Sequence, residues 1–112
     1  MEKFIINGKE YPANFGLYAL RLIGKRFKAK KLIDMTNALQ NIGLDDMPFV
    51  VLSVIENGCL DTNIKPPSIE EVEKELNKNV TLMFKAMGML QLDADDLDET
   101  NKNVPVEENS GN

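Results

Sequence analysis

The run from Pro48 to Ile55, PFVVLSVI, is apolar on nearly every side. Such a segment has no face to give to water, so it belongs at the centre of whatever the chain folds into. A chain of 112 residues has room for one domain around it. The β-branched residues of the run also suit a buried strand. Its flanks argue for a helix. Asp45-Asp46 followed by Pro48 is a start signal, because proline in a first turn gives up only an N–H that has no partner there. Asn57-Gly58 is a stop signal. The expectation is a buried central helix over about 46–57, capped by Asp45 or Asp46.

The elements before this run are written in turn residues and spacing. In KFIINGKEYP, over 3–12, Asn7-Gly8 separates two short runs of strand formers. Both residues tolerate the positive φ of a two-residue type I′ turn, so a hairpin is expected, with Phe4, Ile6 and Tyr11 on one face. Pro12 ends the second strand or marks it as an edge. A first helix, about 14–28, takes Asn14 as N-cap and carries Phe15, Tyr18, Ala19, Leu22 and Ile23 at core-facing spacing. Leu17 and Leu20 lie off that stripe. Gly24 weakens this helix without ending it. A second helix, about 31–42, has Leu32, Met35 or Thr36, Leu39 and Ile42 as its apolar edge, with Gly43 as a left-handed terminator.

Beyond the central run, GCLDTNIKPP is a loop. Ser68-Ile69-Glu70-Glu71 then reads as a capping box opening a helix over about 68–77. Its inner face is Ile69, Val72 and Leu76, and Glu70 and Lys74 are spaced to pair. A fifth helix, about 79–91, carries Val80, Met83, Phe84, Met87 and Leu90. The fold class is therefore mainly α (α+β): an N-terminal β-hairpin followed by a compact bundle of four to five helices. Residues 1–92 form the one globular domain. Residues 93–112, DADDLDETNKNVPVEENSGN, hold too little apolar area to offset the entropy of ordering them, and read as a disordered acidic tail.

Charge runs along the chain from basic to acidic. Residues 1–31 carry a net +6, residues 32–91 a net −5 and residues 92–112 a net −6. The overall −5 argues against a dedicated duplex-DNA binder. There is no His and one Cys, which excludes imidazole catalysis, histidine metal sites and an internal disulfide. Glu70, Glu71, Glu73 and Glu75 read as a solvated helix face, not as carboxylates opposed across a cleft. Asp93, Asp95 and Asp96 lack the glycine and the closing glutamate of a calcium loop. Cys59 has no activating partner in the sequence. No phosphate-cradling glycine motif is present. No catalytic residue, metal or cofactor is expected, and the chain reads as no enzyme. The stretch Pro48 to Leu52 is too short to span a membrane. The opening MEKFIINGKEY lacks the apolar core of a signal peptide, so the expected compartment is the cytoplasm.

Binding to another protein is what remains. Met83, Met87 and Leu90, with Leu17 and Leu20 of the first helix, are the candidate partner-binding residues. They are apolar beyond what one stripe needs, and thioethers adapt to variable surfaces. Lys25, Arg26, Lys28, Lys30 and Lys31, with Phe27 among them, form a basic patch. Part of it is explained by the helix dipole. It also supports an alternative in which the patch holds a nucleic-acid backbone and Phe27 stacks a base, against which the acidic tail would compete. A small protein-binding regulator is the other alternative.

The opening Ile6-Asn7-Gly8-Lys9-Glu10-Tyr11, then Phe15-Gly16 and Ala19-Leu20, and later Pro67-Ser68 and Glu70-Glu71-Val72, resembles the small tail assembly chaperones of long-tailed bacteriophages. The resemblance covers roughly residues 3–91, and the acidic tail adds to it. In one departure, the first helix ends in a basic cluster where many family members carry acids. The resemblance implies a non-enzymatic protein of the bacterial host's cytoplasm. It would bind the long, aggregation-prone tape measure protein, keep it soluble, help the tail tube protein polymerise around it, and leave before the virion is finished. Some family members have a second, longer form made by translational frameshifting. A homo-oligomer is compatible with that role. A membrane partner is not expected, and nucleic acid is the weaker alternative.

Overall fold

The computed structural model describes residues 2–91. Strands β1 (Glu2–Ile6) and β2 (Lys9–Ala13) form an antiparallel hairpin in which Phe4 lies opposite Tyr11 and Ile6 opposite Lys9. Asn7 and Gly8 both have positive φ, 53° and 77°, as a type I′ turn requires. Phe4, Ile6 and Tyr11 are buried on one face, as the alternation predicts. The Asn7 N–H donates to Glu75 Oε1 at 2.8 Å. At the other end of the hairpin, Lys85 donates to the Lys3 carbonyl and lies 4.9 Å from the Phe4 ring centre. The hairpin is thus tied to the C-terminal helices.

Five helices follow: α1 (Leu17–Phe27), α2 (Leu32–Leu39), α3 (Met47–Cys59), α4 (Ile69–Lys78) and α5 (Thr81–Met89), with one 3-10 turn at Leu44–Asp46 before α3. The central run is a helix, as its flanks argue. Val50, Val51, Val54 and Ile55 are fully buried, and α3 touches β2, α1, α4 and α5. It is the post around which the other elements pack.

Asn57-Gly58 does not stop α3, which runs on to Cys59. Asn57 instead faces the start of α1, and Gly58 the end of β2. Asn57 Oδ1 accepts hydrogen bonds from the Gly16 N–H at 3.0 Å and the Ala19 N–H at 2.9 Å. Asn14 is therefore not the N-cap; α1 begins after Gly16, and two N–H groups at its start find their acceptor on a residue from another helix. A Cβ on Gly58 would fall on the Pro12 carbonyl and 2.5 Å from the Ala13 nitrogen, so only glycine lets β2 lie against α3. The Asn14 N–H completes this seam by donating to the Val54 carbonyl at 2.9 Å.

Other ends differ from expectation in similar ways. Asp46 is the N-cap of α3, but its carboxylate caps nothing; it accepts from Arg26 Nε at 2.9 Å. Gly43 has φ −80° and opens the 3-10 turn, while α2 ends earlier, at Gln40. The capping box at α4 is formed in full: the Glu71 N–H donates to Ser68 Oγ at 3.2 Å and the Ser68 N–H to Glu71 Oε1 at 2.9 Å. That backbone donor, above other causes, holds the Glu71 carboxyl below its usual range. Glu70 and Lys74 form no ion pair.

On α5 the buried residues are Leu82 and Ala86, so the inner face lies one position before Met83 and Met87 of the expected stripe and rejoins it at Leu90, which is buried as expected. Val80 and Phe84 are exposed, Phe84 at 72%. The expected tail over 93–112, including Asp93, Asp95 and Asp96, and the boundary at Leu92 lie outside the described residues.

Candidate functional site

An open groove of about 980 Å³ lies between α1 and α2. Its floor is apolar: Leu17, Tyr18, Leu20, Leu32 and Met35. Its rim is cationic: Arg21, Lys25, Lys28, Lys30 and Lys31, with no carboxylate among the lining residues. Leu17 is 60% exposed, Tyr18 41% and Leu32 50%. Side chains of that kind clustered on one surface differ from the singly scattered apolar residues of an ordinary surface.

The groove exists because of how α1 ends. Lys28 is left-handed, φ 58°, and two backbone bonds close the end: Lys28 N–H to the Lys25 carbonyl at 3.3 Å and Ala29 N–H to the Gly24 carbonyl at 2.8 Å. This is the Schellman pattern with lysine where glycine is usual. A Cβ on Gly24 would sit 2.7 Å from the Ala29 oxygen and 3.2 Å from Met35 Sδ. Gly24 therefore stays within the helix and lets the chain return across it. The return throws Lys28, Lys30 and Lys31 onto the groove's edge and sends α2 off with Leu32 and Ile33 exposed.

The candidate residues named from sequence divide into three places. Leu17 and Leu20 line the groove. Met83 and Met87 are half-buried against the core and Leu90 is buried within it. Met87 and Leu90 border a separate hollow of about 270 Å³ with Thr36, Leu39, Gln40 and Gln91. Leu17 and Leu20 thus line a different hollow from Met87 and Leu90. Of the basic patch, Lys25, Lys28, Lys30 and Lys31 share the groove rim, but Arg26 does not. Arg26 pairs with Asp46 and stacks 4.7 Å from the centre of the Phe49 ring, which fixes α1 against the start of α3. Phe27 packs partly against the core.

Sequence reasoning missed Tyr18, Leu32 and Met35 as lining residues by assigning them to core stripes. It missed Arg21 because that residue lies seven positions before Lys28. A signal was present: Leu17, Arg21, Lys25 and Lys28 follow i, i+4, i+8, i+11 spacing and form one helix edge.

Burial pushes the Cys59 thiol up, as does the neighbouring Glu56, so it is held as a thiol at neutral pH. Burial also raises the Glu56 carboxyl and the Tyr11 phenol. Among the described residues no group of three His, Cys, Asp or Glu side chains is placed to hold a metal ion. No single helix among them is long and apolar enough to cross a membrane. Comparison with protein-family models, with curated proteins and with solved structures finds no match to this chain.

Proposed function

We propose that this chain is a non-enzymatic tail assembly chaperone of a long-tailed phage, a siphovirus type, that binds the tape measure protein during virion assembly. The observation that carries the reading is the α1–α2 groove, with exposed Leu17, Tyr18 and Leu32 on its floor and only cations on its rim. A groove of this kind accepts an amphipathic helix by its apolar stripe, with carboxylates beside the stripe meeting the lysines. A tape measure protein is a long helical chain that presents such stripes until the tube surrounds it. Many copies of a small domain would cover it through individually modest contacts. The tail tube protein is a second partner under this reading. The site of action is the cytoplasm of the bacterial host, and the protein is absent from the mature virion.

The test has two stages. The DNA flanking the gene is expected to hold a tail tube gene upstream and a very long helical reading frame downstream. Co-expression with that long product is then expected to keep it soluble, and Leu17→Ser with Leu32→Ser is expected to lose this effect while unfolding stays unchanged. Precipitation of the long product beside the unaltered chain would defeat the reading.

The five rim cations favour one other reading, in which the groove edge holds a nucleic-acid backbone. It is set apart by salt: phosphate binding by that many cations falls by orders of magnitude between about 50 and 200 mM. Capture of an apolar stripe does not. A small protein-binding regulator of another process is distinguished by the neighbouring genes.

A further inference from the structure

We infer that the groove between α1 and α2 is a docking site for the chain's own acidic C-terminal segment, with Leu97 on the apolar floor and the surrounding carboxylates on the lysine rim. The inference concerns this chain alone and stands apart from the identity of any partner.

Charge is the first argument. Asp93, Asp95, Asp96, Asp98 and Glu99 place five carboxylates within seven residues, with Leu97 in their midst. The groove rim carries five cations and no carboxylate over an apolar floor. The segment offers the same pattern in opposite sign: one apolar side chain flanked by acids.

Reach is the second. Gln91 lies beside Thr36, Leu39 and Gln40, at the C-terminal end of α2. Leu32 and Met35, at the other end of that helix, form part of the groove floor. The distance along α2 from Leu39 to Leu32 is about 10 Å at 1.5 Å per residue. Leu97 is six residue steps from Gln91, which extend up to about 20 Å. The segment therefore reaches the floor without any helix moving. A tether this short gives a local concentration on the order of millimolar, so a weak intramolecular contact is populated.

The third argument is the lysine at position 28. Its left-handed backbone would be relieved by glycine, yet a cation stands there and points the rim charge onto the groove.

The experiment uses the full chain with Asn101→Cys carrying a nitroxide; Cys59 is buried and stays unmodified. Amide peak heights are compared before and after the nitroxide is reduced. At about 0.05 M salt the amides of Leu17, Lys28 and Leu32 are expected to lose most of their height, and those of Glu70 and Glu73 to keep it. At about 1 M salt, where the screening length is about 3 Å, the groove amides are expected to recover. Lys28→Glu with Lys31→Glu in the same chain is expected to abolish the broadening at low salt with the thermal midpoint little changed. No broadening, or equal broadening over the whole surface, would overturn the inference. So would broadening found only when nitroxide-bearing chains are mixed with isotope-labelled chains that lack it, since the occupant would then be a second copy. Success here combined with failure of the co-expression test would remove the chaperone reading and leave the docked segment in place.

Discussion

Helices α3 and α2 are both rich in apolar residues, and the fold uses them in opposite ways. In α3 the isoleucine at position 55 is fully buried, and the helix is surrounded by the hairpin and three other helices. In α2 the isoleucine at position 33 is 57% exposed and Leu32 is 50% exposed, while Met35 and Leu39 alone are buried. Packing around α2 is sparse compared with that around α3. The difference teaches that apolar content does not report burial; position in the packing order does. The post was built from a run with no polar face. The edge was built from a helix that follows a tight chain return, puts Leu32 and Met35 on a cation-lined groove and leaves Ile33 exposed.

The largest expected effect tests that contrast with one residue type. Ile55→Ala is expected to cost about 2–5 kcal/mol, through lost burial and the cavity left behind. Ile33→Ala is expected to stay within about 0.5 kcal/mol. Urea unfolding with an unchanged slope measures both. Similar losses at the two positions would mean that Ile33 is covered in solution and that the two helices are not used in opposite ways. Next comes Gly58→Ala. Helix propensity alone favours the substitution by about 1 kcal/mol. The Cβ would meet the Pro12 carbonyl, so the expected result is a loss of about 1–3 kcal/mol or more, opposite in sign. Asn57→Ala removes the acceptor for two N–H groups at the start of α1 and is expected to cost about 1–2 kcal/mol. Asn57→Asp keeps an acceptor oxygen and is expected to recover most of it.

These two positions also mark where sequence reasoning reaches its limit. The hairpin, the capping box and the buried run were legible because each is encoded within a few residues: Asn7-Gly8 dictates its own φ values, and Ser68 and Glu71 satisfy each other. Asn57-Gly58 has the same local form as a helix stop. Its use is set by β2 and α1, more than thirty-five residues away in the chain, and no local rule carries that information. Gly43 and Asp46 were misread for the same reason: one begins a 3-10 turn and the other spends its carboxylate on Arg26. At the groove, the lysines and leucines were visible as a surplus over one stripe. Their meeting was not, because it depends on the chain return at Lys28. The α5 stripe shows the converse. Met83 and Met87 attracted attention by residue type, while Leu82 and Ala86 took the inner face and left Phe84 outside.

The smallest expected effect sharpens the contrast most. Lys28 holds a left-handed backbone that costs a non-glycine residue about 1 kcal/mol. Lys28→Gly is expected to raise stability by about 0.5–1 kcal/mol, a few degrees in thermal midpoint for a domain of this size. Lys30→Gly has no such strain to relieve, since its φ is not positive, and is expected to be neutral or slightly destabilising. Both variants remove one rim cation, so both are expected to weaken binding of a synthetic peptide of residues 93–112 to the same degree. The pair separates backbone from charge. A gain in stability at Lys28 together with weaker peptide binding would show that stability is given up at the groove for a cation, as happens where strain serves a site. If Lys28→Gly leaves the midpoint unmoved, the chain return is unstrained, and the lysine there is an ordinary helix end like any on the solvated surface.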